Sequence, residues 1–222
     1  MGPFIELMPN SDVTSRELHT VMCAATLFLR DGIASVRMTD IADAAGVGVA
    51  TLYRHYQTKT RLAVEAGTLM WERFNADIRA AVEDDDFLVA SGAERLMMLF
   101  ENYIKAYLAH PDFVRFLDEF DHLVLSEGIS RQDLAAYGGA IDSFYVIFED
   151  AYQLGRTDGS VTREVDFDVF YRTVAHASMG IAQKLVRGDI IPSDDFSQGK
   201  SELECLMHMA RCTLGINGFD EE

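Results

Sequence analysis

The sequence predicts an all-α protein, an N-terminal three-helix helix-turn-helix domain followed by a larger helical body. Three observations carry this. Apolar residues recur at three- and four-residue spacing along almost the whole chain, and no alternating strand pattern bounded by turns interrupts them. Only 4 residues are Pro, and most of the 16 Gly fall between the periodic segments. The 222 residues, 49% of them hydrophobic, are enough for a small domain plus a larger one.

Each helix has local support. Residues 15–31 open on Thr14-Ser15-Arg16-Glu17, a capping-box pattern, continue through Leu18, Val21, Met22, Ala25, Phe28 and Leu29, and close at Asp31-Gly32. A short helix is expected over Met38–Ala45, with Ile41, Ala42 and Ala45 inward, and a second over Val49–Tyr56 after Gly46-Val47-Gly48. A long helix then starts near Lys59 and runs to about Val82, and the acidic run Glu83–Asp86 reads as a break or a solvated helix start. Further helices are expected near 87–109, 112–126, 130–155, 166–187 and 201–215. Gly128, Gly155, Gly159, Gly188 and Gly199 are read as loop markers, and 188–200 as the longest loop. Gly138-Gly139 inside a helical pattern suggests a kink or a close approach.

Charge narrows the function. The chain holds 19 basic and 36 acidic groups, a formal net charge of −17. Residues 13–64 hold six basic and four acidic groups, a net of +2, so the remainder carries −19. A protein that coats nucleic acid needs clustered Lys and Arg and is excluded. A nearly neutral quarter on an acidic body points to two jobs. The uncharged stretches reach only about a dozen residues, too short to span a membrane. The first residues carry no signal-peptide pattern, and Cys23, Cys205 and Cys212 fit a reduced, cytoplasmic protein. No G-x-S-x-G, H-E-x-x-H, phosphate loop or G-x-G-x-x-G is present, so no enzyme and no cofactor is expected.

Residues 38–56 carry the sharpest signal: two helices of about two turns joined by a turn at Gly46. Small Ala42 and Ala45 allow a close crossing, Gly46 supplies a positive φ, and Val47 and Leu52 plug the space behind. Val49, Ala50, Thr51, Tyr53, Arg54 and His55 then face outward. Val49 and Ala50 suit thymine methyls in a major groove of double-stranded DNA. Thr51, Tyr53 and His55 offer donors to phosphates, and Lys59 opens the next helix, where charge and free backbone N–H groups coincide. Arg37 and Thr39 open the first short helix, which is expected across the backbone. With Arg37, Arg54 and Lys59 as the phosphate cations, a dimer neutralises about six charges and log K against log salt has a slope near about −5. Tyr53→Phe and Lys59→Ala are expected to weaken binding with little change in the thermal midpoint.

On these residues, "DIADAAGV" followed by "TLYRHYQTKTRL", the sequence resembles the TetR family of bacterial transcriptional repressors over roughly residues 15–65. "GRTDGSV" at 155–161 is similar to a loop that relatives place before the penultimate helix. The resemblance implies a homodimer joined by its last two long helices, a palindromic operator, and a pocket in the body for a small-molecule effector that releases the DNA. It also implies DNA contact at Thr39, Val49, Ala50, Thr51, Tyr53, His55 and Lys59, although Thr39 stands where relatives often have Arg. The division expected is residues 1–60 for DNA and 61–222 for ligand binding and dimerisation. The competing reading is a helical small-molecule sensor or interaction protein that does not use DNA.

In the body, Tyr103, Tyr107, Phe116, Phe120, Tyr145, Phe148 and His176 are the candidate ligand residues, an aromatic set with a few polar anchors. His176 reads more readily as a buried, satisfied histidine than as a ligand anchor. The small residues Ala175, Ala177, Ser178, Gly180 and Ala182 suit a subunit interface. Cys205, His208 and Cys212 share one helix face; an apolar interface stripe is the simpler reading, and no metal is expected because no fourth ligand is evident.

Overall fold

The computed structural model describes residues 15–188 and 199–216, so all of the expected 188–200 loop but its ends lies outside the described residues. Among the described residues there are eleven helices and no strand: α1 (Arg16–Asp31), α2 (Met38–Ala45), α3 (Val49–Tyr56), α4 (Lys59–Ala81), α5 (Asp85–Val89), α6 (Gly92–Ala109), α7 (Pro111–Glu127), α8 (Ala135–Asp142), α9 (Tyr145–Asp158), α10 (Phe167–Arg187) and α11 (Gly199–Leu214). No helix among them is long and apolar enough to cross a membrane.

Compactness divides the chain into two units. One runs to Asn75 and adds Ala109–Ile141; the other is Ala76–Leu108 with Asp142 onward. A functional division at residue 60 therefore does not coincide with the division by packing.

In the first unit α1 packs on α2 and α7, and α2 on α3. Ser15 caps α1 by accepting the N–H of Leu18 at 3.1 Å. The face α1 buries is Val21, Ala24, Ala25, Phe28 and Leu29, at the spacing of an amphipathic helix. Phe113 of α7 meets Trp71 and Phe74 of α4, with Trp71 edge-on to Phe74 and Phe113 at 5.5 and 5.3 Å, while Phe116 and Phe120, also buried on α7, stack on each other. Each such side chain stabilises by about 1.5–3 kcal/mol on burial.

In the second unit α10 packs on α9 and α11. The helix expected over 87–109 is two. Ser91 and Glu94 form a capping box at the break: Ser91 Oγ accepts the Glu94 N–H, and Glu94 Oε2 accepts the Ser91 N–H at 2.8 Å. The next amides of α6 are satisfied from the end of α9: Asp158 accepts Gly92 N–H at 2.8 Å, and Ser160 Oγ accepts Ala93 N–H at 2.9 Å. These bonds seat Gly92 on Gly155, where a Cβ on Gly92 would overlap the Gly155 backbone. Gly155, expected to mark a loop, is thus a buried crossing point inside α9. The helix expected over 130–155 also divides, between α8 and α9 at Ser143–Phe144. Gly138 and Gly139 lie within α8 with open space beside both, so they mark no close approach.

Candidate nucleic-acid interface

The two short helices fall on the expected residues. Gly46 ends α2 in the left-handed conformation, φ 63° and ψ 34°, and Val47 N–H returns to Ala42 O at 3.0 Å. Nothing lies within 4 Å of a Cβ built on Gly46, so it is the backbone angle, not space, that calls for glycine there. α3 buries Leu52 and Tyr56 and half-buries Val49 and Thr51. Ala50, Tyr53, Arg54 and His55 are exposed, with Tyr53 at 50%. The outward edge of α3 is therefore a continuous polar surface with a small apolar entry at Val49 and Ala50. His55 Nδ1 leans toward Glu17 Oε1 of α1, 3.9 Å away. Burial, reinforced by Glu65 and Glu17, pushes the Tyr56 phenol up to about 12.

Arg37 and Thr39 are exposed at the start of α2. The Arg37 guanidinium is engaged with Asp40, at 2.8 Å between Nη2 and Oδ1, and Asp40 also accepts the Arg37 backbone N–H at 2.9 Å. The hydrogen bond from the Arg37 side chain, foremost, holds the Asp40 carboxyl below its ordinary range.

Lys59 is where the arrangement departs from expectation. Its amine donates to three backbone carbonyls of the loop after α1: Ile33 at 2.7 Å, Ala34 at 3.2 Å and Val36 at 3.0 Å. An ammonium has three protons, and all three are used. The side chain expected to hold a phosphate instead fixes the α1–α2 loop, and the expectation that Lys59→Ala leaves the thermal midpoint unchanged does not follow from this geometry.

Three further residues that sequence reasoning passed over position the short helix pair. Glu119 of α7 accepts the Ile33 N–H at 2.6 Å, and Arg115 one turn earlier donates to Leu29 O at the end of α1. Gln57, between α3 and α4, has φ 62° and ψ −45°, with Thr58 N–H on Tyr56 O at 2.6 Å. This is a γ-turn at a non-glycine residue, a strained conformation. It lets Thr58 cap α4 at once, accepting Arg61 N–H at 3.1 Å. The i, i+4 spacing of Arg115 and Glu119 was visible in the sequence, but their target was not.

The candidate ligand residues are divided. Tyr103, Tyr107 and Phe148 are buried in the second unit, with Tyr103 edge-on to Tyr107 at 5.1 Å and Tyr145 edge-on to Tyr171 at 5.3 Å. Phe116 and Phe120 belong to the first unit, stacked at 5.7 Å beside Phe28 and Tyr137. His176 is exposed on α10, which corrects the expectation that it is buried: its turn of the helix faces away from the packed side that holds Val174 and Ser178. Two grooves in the second unit have other linings. One of about 320 Å³ runs along Ile104, Leu108, Leu203 and Met207; the other, about 530 Å³, along Val89, Ala93, Met97 and Ile216. The Glu101–Arg211 ion pair, 2.8 Å, borders both.

A turn-linked helix pair with an exposed polar edge in an all-helical chain is the arrangement of the helix-turn-helix class. Comparison with known proteins narrows the class. Residues 23–66 match the sequence model of the bacterial regulatory proteins of the tetR family. The chain is 27% identical over 173 residues to the HTH-type transcriptional repressor KstR2 of Rhodococcus jostii, covering 74% of this chain and 78% of that one. A TetR-family transcriptional regulator from Rhodococcus sp. shares the fold with a TM-score of 0.67 at 18% identity, over 91% of this chain and 100% of its own. The ketosteroid transcriptional regulator KstR2 of Mycobacterium tuberculosis does so with a TM-score of 0.55 at 21% identity, over 93% of this chain and 97% of its own. Over residues 23–66 the chain is thus similar to the tetR family of bacterial regulatory proteins, and the curated relatives it resembles are transcriptional repressors.

Proposed function

We propose that the chain is a cytoplasmic, homodimeric repressor that reads a palindromic DNA operator with α3 and leaves it when a small molecule binds the helical body. The observation that carries the DNA reading is the disposition of α3: Leu52 and Tyr56 anchor it inward while Ala50, Tyr53, Arg54 and His55 stay exposed. Val49 and Ala50 serve thymine methyls, Thr51, Tyr53 and His55 serve phosphates, and Arg37, Thr39 and Arg54 flank them. At Lys59 the phosphate contact falls to the backbone N–H groups that open α4, since the amine is otherwise engaged.

Dimerisation is supported by apolar side chains left in water on the last two helices, Val169 at 58% and Met209 at 53% exposure. The aromatic cluster of Tyr103, Tyr107, Tyr145 and Phe148 suits a largely apolar effector held by a few hydroxyls. α4 carries the reader on its N-terminal end, so an effector that favours one setting of α4 shifts the population that fits the operator.

Fluorescence anisotropy on duplexes from the region upstream of the chain's own gene tests this. Saturable, salt-sensitive binding at one site, weakened by Arg54→Ala and Tyr53→Phe, is the expected result. Binding no tighter than to unrelated DNA leaves the sensor reading instead.

A further inference from the structure

α11 carries a cluster that the DNA-binding reading does not use. Cys205, His208 and Cys212 are all exposed, on the side of α11 away from its buried residues Leu203, Met207, Ala210 and Leu214. Cysteine is among the residues most often buried, so two exposed thiols on one helix face are unusual. His208 Nε2 and Cys212 Sγ, one turn apart, stand 3.5 Å from each other.

That separation has a chemical meaning. A tetrahedral zinc ion holds sulfur at about 2.3 Å and imidazole nitrogen at about 2.0–2.1 Å, which sets two such donors about 3.5 Å apart. The pair already has the bite of one tetrahedral ion. His19 and Cys23 of α1 repeat the spacing and show the contrast. They lie 3.7 Å apart, but the Cys23 thiol is half-buried and donates to Ala44 O at 3.6 Å. Burial pushes that thiol up, which keeps its proton in place.

Each chain supplies two ligands, and among the described residues no three metal-ligating groups converge. Closing the shell needs a second pair. A two-fold contact repeats the same patch on both copies, and on the homodimer reading a face of α11 set at the two-fold axis meets its own image.

We propose that His208 and Cys212 of two copies of this chain form one inter-subunit Cys2His2 site for zinc. The site rests on the homodimer reading above. Two thiolates and two imidazoles make a soft tetrahedral set suited to Zn²⁺. Binding releases the thiol protons and ties the two copies together through α11, so the dimer that presents two readers to DNA becomes dependent on zinc.

Cobalt(II) added to the reduced full chain tests the site, with sedimentation run in parallel. The expected result is a thiolate-to-cobalt charge-transfer band with intense tetrahedral d–d bands, saturating at one ion per two chains and abolished by Zn²⁺ displacement. His208→Ala and Cys212→Ser lose the bands with unchanged apo thermal midpoints, while Cys205→Ser and Cys23→Ser keep them. A dimer that shows no bands, saturates at one ion per chain, or keeps the bands in Cys212→Ser overturns the site and leaves the homodimer reading standing. A chain that sediments as a monomer with and without metal overturns both.

Discussion

Glu119 Oε2 accepts the backbone N–H of Ile33 at 2.6 Å, tying α7 to the loop that leaves α1. Ile33 is 2% exposed, so its amide has no easy recourse to water. Glu119→Ala should therefore cost about 1–3 kcal/mol in urea unfolding, the penalty of an orphaned buried donor, and Glu119→Gln, which keeps an acceptor, should cost less. Gly32→Ala should be worse than an ordinary loop substitution. Its φ is +82°, and the added Cβ would stand 2.8 Å from Glu119 Oε1. Equal midpoints for wild type and Gly32→Ala would remove this account of the junction.

Lys59 and Tyr53 should separate in their effects. Lys59→Met leaves three loop carbonyls without their donor, so both stability and operator binding should fall, stability by about 1–3 kcal/mol. Tyr53→Phe removes only an exposed hydroxyl; the thermal midpoint should hold while operator affinity drops by about 1 kcal/mol. Calorimetry and anisotropy on the same samples decide it.

The salt dependence of operator binding should be shallower than counting three cations per chain suggests. With Lys59 turned inward, Arg37 and Arg54 leave about four neutralised charges per dimer, and a slope of log K on log salt near about −4. Arg37 must exchange Asp40 for a phosphate to contribute, so Arg37→Gln should change the slope less than Arg54→Gln. A slope steeper than about −10 would require a basic surface that these residues do not supply.

Gln57→Gly should raise the unfolding midpoint or leave it unmoved. The positive-φ γ-turn costs about 1–3 kcal/mol for a residue with a Cβ, against about 0.5–1 kcal/mol of extra chain entropy for glycine. Gln57→Val, which keeps the strain and adds a branch at Cβ, should lower it.

Alkaline pH should weaken the reader through Tyr56. Its phenol rises from an ordinary 10.0 to about 12 in the folded chain, chiefly because the ring is buried. The native state then holds the proton more tightly than the unfolded state does. Stability is full below pH 10 and is lost as pH climbs toward about 12. Tyr56→Phe should flatten that part of the stability curve in a pH series of urea titrations.

The local chemistry of the reader was legible because short-range rules set it: Gly46 for the left-handed angle, small Ala42 and Ala45 for the crossing, Leu52 for the plug. What was missed depends on distant partners. Arg115 and Glu119 look like surface charges until α1 ends against them. Lys59 sits where a phosphate cation belongs, yet three carbonyls lie within its reach. Gly155 reads as punctuation because its neighbour Gly92 is remote in sequence. The break at Ser91 was within reach of local reasoning, since Ser91 and Glu94 spell a capping box in a segment read as one helix. Phe116 and Phe120 resemble the body's aromatics in residue type alone; contact places Phe116 on Phe28 of α1 and Phe120 between Phe116 and Tyr137.

The crossing of Gly92 on Gly155 leaves no room for a side chain at Gly92, where an added Cβ would fall on the Gly155 backbone, and little at Gly155, where it would stand 2.6 Å from Val161 Cγ2. A library of random substitutions screened for folded protein should come back empty at Gly92 and sparse at Gly155, while Gly138 and Gly139, with open surroundings, accept alanine freely. A side chain at Gly92 therefore requires α6 and α9 to move apart, so a larger residue there should be accepted only alongside changes that widen the crossing.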